Sequence, residues 1–265
     1  MSLGERLASL GFRLVHLSEV GSTNELCGEL AREGEAEGLV VLADSQQAGR
    51  GRQGRSWVSP EGCGLFVSFL RRPDLPARDA WLWTLLAGIA LQAAVDPVCE
   101  GSWLKWPNDL FRHREKLGGI LCELQVAETQ QIESIVVGVG LNLYPPPLGW
   151  PSGLRNPAGS VWPTTGPPLE SGRRDDILVR LASGLLMLEV DLAGPGREAL
   201  LMRYRAAMAP MIGHRVQVDH PVAPIEATVE GISDKGALLV VDGEGQRRSV
   251  MAGDVHLRWQ GAILS

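Results

Sequence analysis

Three β-rich segments that follow one another closely constrain the fold more than any other feature of the sequence. They are "SWLKWPNDLF" (Ser102–Phe111), "KLGGILCEL" (Lys116–Leu124) and "ESIVVGVGLNL" (Glu133–Leu143). Parallel strands need a crossover of about a dozen residues or more, usually a helix, and the connections here are shorter. We therefore expect the three strands to pair in antiparallel fashion, which disfavours a regular alternation of strands and helices.

Apolar spacing predicts further helices and strands on either side of these segments. Ser22 or Thr23 can cap a helix over Ser22–Gly34, and apolar residues predict a largely buried helix over Ala80–Val95. The remaining segments are strands at Arg13–Val20, Gly38–Ser45 and Gly64–Leu70, a loop at Tyr144–Pro168, and helices at Asp175–Asp191 and Arg197–Met208. Together they predict an α+β fold with a mixed, largely antiparallel central sheet flanked by helices.

The sequence changes character near residue 211. Five short β-rich segments follow Gly213, namely "HRVQVDH", "IEATVEGIS", "GALLVVDG", "QRRSVMAG" and "VHLRW". Such a series, with turn residues between the segments, is typical of a small closed or half-closed β-barrel. We therefore expect two domains, residues 1–211 and 212–265.

Composition disfavours several classes of protein. The formal net charge of −6 is not the footprint of a nucleic-acid binder. No run approaches the roughly 20 apolar residues that cross a bilayer, and the N-terminal "MSLGERLASLGF" lacks the apolar core of a secretory signal. The four cysteines are scattered and no H-E-x-x-H occurs, which predicts free thiols in a reducing cytoplasm and no protein-held zinc. These cysteines are Cys27, Cys63, Cys99 and Cys122.

The stretch "QQAGRGRQGRSW" (Gln46–Trp57) concentrates glycine and arginine in an otherwise acidic chain. Gly49, Gly51 and Gly54 have the spacing of the dinucleotide fingerprint, but that motif requires a helix directly after the glycines. Here "RSWVSPEGCGLFVSF" follows and predicts a strand, so the dinucleotide interpretation fails. Two interpretations remain: a flexible loop that folds over an anionic ligand, and a solvated surface turn.

Two lysine-containing segments favour the anion-binding interpretation. "KWPNDL" places Lys105, Asn108 and Asp109 in one short strand-to-turn segment, and "KLGGIL" places Lys116 beside paired glycines. Lysine can neutralise a phosphate oxygen, and Asn or Asp can hold Mg²⁺ directly or through water. Taken singly, a lysine such as Lys105 is more often a solvated cation, and a pair such as Asn108–Asp109 is more often a turn.

These segments, taken together, resemble the biotin protein ligases. "GSTNE" (Gly21–Glu25), the glycine-arginine stretch, "KWPNDL", "KLGGILCEL" and "GVGLNL" (Gly138–Leu143) occur in that family's order and approximate spacing. The similarity extends from about residue 14 to 258 and includes "SDKGALLV". The resemblance implies a catalytic domain related to class II aminoacyl-tRNA synthetases, over residues 1–211, and an SH3-like β-barrel over residues 212–265. The implied activity joins biotin to ATP and passes the biotinyl group to a carrier lysine.

The resemblance also implies roles for individual residues. Lys116, Arg52 and Asp109 are the catalytic candidates, with Asp109 either removing a proton from the carrier lysine or orienting it. The biotin-binding candidates are Ser22, Thr23, Asn24, Gln46, Arg50, Gly51, Arg52 and Lys116. The ATP and adenylate candidates are Gly49, Arg50, Arg52, Trp57, Lys105, Asn108 and Asn142. Helix capping by Ser22 or Thr23 and core packing of Trp57 are the simpler structural roles.

Cofactors and partners follow from the same resemblance. ATP and Mg²⁺ are expected, with Asn142 near the metal through the phosphates, and Arg258 is a further candidate on the nucleotide side. The expected partner is a biotin carboxyl carrier protein of acetyl-CoA carboxylase or another biotin-dependent carboxylase, with neither DNA nor membrane. A homodimer is compatible with these observations.

Other functions remain open on the sequence. About 20 residues precede "GSTN", which is short for a helix-turn-helix, so a ligase-only protein is expected rather than a repressor. A lipoate or octanoate ligase and a biotin-sensing protein without turnover are the alternatives. Gln53 stands where a basic residue is frequent in the family, which alters the charge of the glycine-rich loop.

Overall fold

The computed structural model describes residues 1–58, 61–162, 171–192, 196–219, 224–251, 253 and 255–258. Its helices are α1 (Leu3–Ala8), α2 (Thr23–Arg32), α3 (Trp81–Val95), α4 (Ser171–Glu189) and α5 (Gly196–Ala207). The strands of a first sheet are β1 (Arg13–Val20), β2 (Leu39–Gln46), β3 (Gly64–Arg71), β4 (Ser102–Lys105), β5 (Asp109–Arg112), β6 (Glu115–Val126) and β7 (Ile132–Asn142). Those of a second sheet are β8 (Arg215–Val218), β9 (Ile225–Ile232), β10 (Leu238–Asp242), β11 (Arg247–Val250) and β12 (Val255–Arg258).

The first sheet is mixed and largely antiparallel, as predicted. Its strand order is β1-β2-β3-β7-β6-β5-β4, and only the pair β1–β2 is parallel. Helix α2 supplies the crossover that a parallel pair requires. The short connections after β4, β5 and β6 give antiparallel neighbours instead, so the sequence argument on connection length is confirmed.

Helices cover both faces of this sheet. Leu39 and Val41 of β2 belong to a small apolar cluster with Cys27 of α2, because alternate strand residues point to opposite faces. Val40 and Leu42 belong to the large cluster that contains α3 and parts of α4 and α5. Helix α3 is buried along most of its length, as its apolar composition predicted.

The predicted strand Ser102–Phe111 is wrong, because two strands and a turn occupy it. β4 ends at Lys105 and β5 begins at Asp109, and the two strands pair with Lys105 opposite Asp109. Pro107, which follows a cis peptide bond, has no N–H to donate and favours a break in the strand. This turn brings the polar residues of "KWPNDL" together.

Helix α1 was not predicted. Ser2 and Glu5 form a capping box in which each side chain accepts a hydrogen bond from the other residue's backbone N–H. The S-x-x-E spacing was the available signal. No helix in the described ranges has the length and apolarity that a membrane crossing requires.

The second sheet contains the five predicted strands, in the order β11-β10-β9-β8-β12. Within the described ranges β11 and β12 do not pair, so closure into a barrel is not confirmed. The second sheet contacts the β4–β5 turn through Trp106, whose Nε1 donates to the Gly236 carbonyl at 2.9 Å. A Cβ on Gly236 would lie 2.3 Å from the Trp81 ring, which shows how closely the β9–β10 turn packs on α3.

Candidate active site

One cavity of about 430 Å³ collects nearly all of the predicted site residues. It is lined by Ser22, Thr23, Asn24, Gln46, Arg50, Gly51, Arg52, Trp57, Lys105, Asn108, Asp109, Lys116 and Asn142, among others. Two predicted residues do not line it. One is Arg258, and the other is Gly49, which is buried and whose carbonyl accepts the Trp57 N–H at 2.7 Å. The segments that share sequence motifs therefore converge on one place in the fold.

The first wall is the start of α2 beside the end of β2. Val20 and Gln46 are paired in the parallel β1–β2 register, so α2 begins next to Gln46. Ser22 is the N-cap residue and its hydroxyl accepts the Glu25 N–H at 3.5 Å. The Gln46 side-chain oxygen accepts both the N–H and the hydroxyl of Thr23, at 2.9 and 3.2 Å. The structure thus fixes three short polar side chains at this end of the cavity.

Asn24 is held by a network that sequence reasoning missed. Its amide nitrogen donates to the Leu121 carbonyl and to Glu123 at 3.1 and 2.8 Å. Its amide oxygen accepts from Ser68 at 2.6 Å. A Cβ on Gly138 would lie 1.9 Å from that oxygen. The Asn24 side chain can therefore pack against β7 only because residue 138 is glycine. Ser68 belongs to none of the motifs, and Glu123 lies within "KLGGILCEL" but was not singled out there.

The glycine-rich loop forms a compact hairpin over the cavity. The Gly51 N–H donates to the Arg55 carbonyl at 2.7 Å, and a single 3₁₀ turn covers Arg52–Gly54. Residues 55–58 and 61–63 contain no helix, so the exclusion of a dinucleotide fingerprint is confirmed for the described part of this segment. Gln53 has φ 57°, a left-handed conformation that costs a non-glycine residue roughly 1–2 kcal/mol. Its neighbours in the hairpin hold it there.

The arginines of the loop make different contacts. Arg52 donates to the side-chain oxygen of Asn108 at 3.3 Å and so joins the loop to the β4–β5 turn. Arg50 forms a 2.6 Å ion pair with Glu25 of α2, and Arg55 donates to Gln53 at 2.9 Å. Arg52 thus links the loop directly to the "KWPNDL" segment.

A charged cluster of Lys105, Asp109 and Lys116 forms the floor of the cavity. The Lys116 Nζ lies 2.6 Å from Asp109 Oδ1, and the Lys105 Nζ lies 3.6 Å from Oδ2. Lys105 and Asp109 are only 4% and 8% exposed. The Lys116 Nζ also lies 5.4 Å from the centre of the Trp57 ring, within cation–π range. Gly119 leaves room for this contact, since a Cβ there would lie 3.3 Å from the Lys116 Nζ.

The electrostatics of the cluster favour an anionic ligand. Burial by itself raises the pKa of the Asp109 carboxyl, but the charges of Lys116, Lys105 and Arg52 outweigh burial and hold the pKa below its usual value. Asp109 is thus ionised at neutral pH and balances one of the three cations. The remaining positive charge is largely shielded from bulk water, so it attracts carboxylate or phosphate more strongly than it would at the surface.

Asn142 and the segment after β7 close another side. The Asn142 amide donates to the Gly159 carbonyl at 2.9 Å, and the Lys116 N–H donates to the Pro157 carbonyl at 2.8 Å. This pairing brings Trp150 and Arg155 to the cavity wall. The sequence predicted only a loop here, and its aromatic and arginine residues were the unused signal.

The polar side chains of the cavity fit a metal ion that enters bound to the phosphates of a nucleotide better than one held by the protein alone. No group of three or more His, Cys, Asp or Glu side chains comes together in the part of the chain that the structure describes. Asp109 is the one carboxylate among the described lining residues, and two lysines engage it. These residues suit Mg²⁺ held mainly by phosphate oxygens and water, with Asn142 at the edge.

The second sheet also contributes to the cavity. Val255 and His256 of β12 line it, although the sequence singled out neither. Arg258, which was expected on the nucleotide side, does not line the cavity and instead donates to Gln217 at 2.6 Å.

The fold and the cavity correspond to a known class of enzymes, the biotin/lipoate A/B protein ligase family, whose model matches residues 20–142. The model of the biotin protein ligase C terminal domain matches residues 211–258. With the relatives described next, these matches show that the chain belongs to the biotin protein ligases.

Curated relatives and solved structures support the assignment. The chain is 34% identical to the biotin--[acetyl-CoA-carboxylase] ligase of Mycobacterium tuberculosis, over 95% of this chain and 92% of that protein. It is 29% identical to the bifunctional ligase/repressor of Bacillus subtilis, over 96% of this chain and 77% of the relative. The biotin protein ligase from Aquifex aeolicus, solved with biotin and ATP, superposes with a TM-score of 0.70 at 28% identity and covers 92% of this chain and 98% of its own.

Proposed function

We propose that this biotin protein ligase forms biotinyl-5′-AMP and pyrophosphate from biotin and ATP, and then transfers the biotinyl group to one lysine of a biotin carboxyl carrier protein. The carrier belongs to acetyl-CoA carboxylase or another biotin-dependent carboxylase. The observation that carries the proposal is the buried cluster of Lys105, Asp109 and Lys116 beneath the glycine-rich loop. The cavity volume of about 430 Å³ is also within the usual range for small-molecule sites.

The first step needs charge neutralisation rather than a base. A biotin carboxylate oxygen bonds to the α-phosphorus of ATP while the bond to the leaving pyrophosphate breaks. Two like charges about 4 Å apart repel by roughly 4 kcal/mol at an effective dielectric constant near 20. Lys116 and Arg52 offset that repulsion, and Asp109 positions Lys116 through the 2.6 Å contact. The carboxylate is already ionised, so no proton has to be removed.

The polar residues divide between the two ligands. The proposed biotin contacts are Ser22, Thr23, Asn24, Gln46, Arg50, Gly51, Arg52 and Lys116. The proposed nucleotide contacts are Gly49, Arg50, Arg52, Trp57, Lys105, Asn108 and Asn142, with Gly49 acting through the position of Trp57. Mg²⁺, when bound with ATP near Asn142, supplies further positive charge to the phosphates.

The hairpin over the cavity has a protective role as well. Biotinyl-5′-AMP is a mixed anhydride that water hydrolyses, so the enzyme has to keep the intermediate dry until the carrier arrives. The link between Arg52 and Asn108 ties the loop to the rim of the charged cluster. We propose that closure of this loop retains the adenylate.

Some further features belong to the same proposal. We place the domain boundary between residues 211 and 212, just before β8, with an SH3-like barrel over residues 212–265. Location in the cytoplasm is proposed because ATP is a substrate. A homodimer stays a prediction.

The alternatives are a lipoate or octanoate ligase and a biotin-binding protein without turnover. The family model includes lipoate ligases, whereas the relatives above are named for biotin. Exchange of labelled pyrophosphate into ATP in the presence of biotin, lipoate or octanoate separates the three functions. A biotin ligase exchanges only with biotin, a lipoate ligase exchanges with lipoate or octanoate, and a sensor binds biotin without exchange.

Carrier modification is the decisive experiment. The protein is incubated with biotin, Mg-ATP and a biotin carboxyl carrier domain, and the carrier is then analysed by mass spectrometry. We expect the mass of one biotinyl group on a single lysine. A carrier with that lysine replaced by arginine is the control and should stay unmodified. An unmodified wild-type carrier together with absent exchange would refute the proposal.

A further inference from the structure

The transfer step needs a proton acceptor, whereas the adenylation step does not. A lysine side chain has a pKa of about 10.4 and is an ammonium at neutral pH. Its nitrogen must lose a proton before it can attack the adenylate. The inference below rests on the proposed function, because it concerns the second step of that reaction.

Two described residues of the cavity wall are candidate bases, Asp109 and His256. Asp109 is unsuited to the task because Lys116 and Lys105 engage both of its oxygens, at 2.6 and 3.6 Å. Their charges hold the pKa of the Asp109 carboxyl below its usual value, which weakens it as a base. Among the described lining residues this leaves His256.

His256 is held in place by a carboxylate. It lies on β12 opposite Gln217 of β8, and its Nε2 lies 3.3 Å from Asp219 Oδ1 and 3.4 Å from Oδ2. The His256 side chain is 22% exposed, so it is restrained but accessible from the cavity. A carboxylate at Nε2 favours the tautomer with the proton on Nε2, which leaves the lone pair on Nδ1.

We propose that His256, positioned by Asp219, accepts the proton from the carrier lysine in the transfer step. The ammonium N–H bond breaks, and the proton bonds to Nδ1 of His256. The neutral amine then bonds to the biotinyl carbonyl carbon, and the bond from that carbon to the phosphate oxygen breaks, releasing AMP. The new amide nitrogen loses its second proton to solvent.

The electrostatic surroundings suit this role. The Asp219 carboxylate lies against the Nε2 edge of the ring, so Nδ1 is the nitrogen left to accept a proton. Arg258 on the same strand is engaged by Gln217 and Glu226, at 2.6 and 3.5 Å. The charged groups of the cavity wall are Arg50, Arg52, Arg55, Lys105, Asp109, Lys116 and Arg155. Adenylation would thus rely on the first sheet and transfer on a residue of the second.

The test separates the two steps. His256→Gln and Asp219→Asn are compared with wild type in biotin-dependent pyrophosphate exchange, and then in single-turnover transfer from preformed biotinyl-5′-AMP to a biotin carboxyl carrier domain. His16→Gln is the matched control, because His16 forms a similar pair with Asp44 at 2.8 Å but does not line the cavity. Transfer is measured at about pH 7 and about pH 9.5, and with hydroxylamine, which is neutral at pH 7, in place of the carrier.

We expect normal exchange in every variant and a loss of roughly 10²-fold in transfer at pH 7 for His256→Gln, the usual scale of general-base catalysis. Asp219→Asn should reduce the rate of transfer at pH 7 by a smaller factor than His256→Gln. The deficit should shrink at about pH 9.5, where more of the lysine is neutral, and should vanish with hydroxylamine. Wild-type transfer by His256→Gln, lost exchange in that variant, or a deficit equal at both pH values would overturn the inference. Absent exchange in wild type would instead refute the proposed function itself.

Discussion

At the scale of single residues, the site is built around one carboxylate placed between two lysine ammonium groups. Asp109 lies between two lysines and is nearly buried, and it fixes the Lys116 Nζ beside the Trp57 ring. A lysine held in this way loses little freedom when its ligand arrives, so its charge acts at a defined point. The catalytic role proposed for Lys116 therefore depends on Asp109 as much as on the lysine itself.

Removal of the Lys116 charge should slow adenylation sharply. Lys116→Ala is expected to lower biotin-dependent pyrophosphate exchange by a factor of roughly 10² or more, the scale observed when one preorganised charge is lost. Exchange is measured at saturating biotin and ATP. Lys235→Ala is the control, because Lys235 is exposed in the β9–β10 turn and should leave the rate unchanged. A near-wild-type rate for Lys116→Ala would refute the assignment.

Asp109 should also make stability depend on pH. Its lowered pKa means that its contribution is fully present above the unfolded value of about 3.9 and is lost as pH falls through the folded value. The difference in free energy of unfolding between wild type and Asp109→Asn should therefore be largest near neutral pH and narrow in acid. Urea unfolding over a pH series measures it. Asp234→Asn, at an 83% exposed side chain, should show no comparable trend; a pH-independent difference for Asp109→Asn would contradict the argument.

At the scale of elements, the glycine-rich loop and the β4–β5 turn act together. The Arg52 contact with Asn108 joins them, and the hairpin within the loop gives it a defined shape. Glycine at position 54 adopts φ 71° at no steric cost, which permits the tight reversal after the 3₁₀ turn. The lid role proposed for the loop rests on this geometry.

Loss of the Arg52 contact should release the intermediate. Arg52→Gly is expected still to form the adenylate, because Lys116 remains, although more slowly than wild type. The variant should retain the adenylate poorly. Off-target biotinylation of lysines on a bulk protein such as serum albumin should then rise. Arg247→Gly is the control, at an 81% exposed side chain on β11. Off-target labelling no higher than wild type, while adenylate still forms, would count against the lid.

The sequence predicted the site far better than its internal contacts. Motif order placed the loop, "KWPNDL" and "KLGGIL" in one site, and the cavity contains all three. It could not show that Asp109 lies between Lys105 and Lys116, because that depends on the break at Pro107 and the register of β5 with β6. Ser68 and His256 were missed for a related reason. Each reaches the site through strand pairing distant in sequence, and neither belongs to a motif.

At the scale of the whole molecule, the two sheets meet beside the cavity. Trp106 lies in the β4–β5 turn, and its Nε1 donates to the carbonyl of Gly236, in the β9–β10 turn of the second sheet, at 2.9 Å. Trp81 at the start of α3 packs against the same glycine. The position of β12, and with it His256, therefore depends on contacts that also support the charged cluster. The second sheet therefore contributes to the wall of the candidate active site.

Substitution of Gly236 tests that dependence. Gly236 has φ 73°, and a Cβ would lie 2.3 Å from the Trp81 ring, so Gly236→Ala combines a strained backbone with a clash. Gly245→Ala is the matched control, because φ is 78° there and no atom lies within 4 Å of the added Cβ. Both variants share the backbone penalty, so the difference between them reports the contact with Trp81.

We expect Gly236→Ala to be the less stable by about 1–3 kcal/mol in urea unfolding, the usual range for overpacking. It should also slow carrier modification more than pyrophosphate exchange, since it displaces the second sheet and leaves Lys116 in place; equal stability of the two variants would show that the sheets are not coupled through this contact.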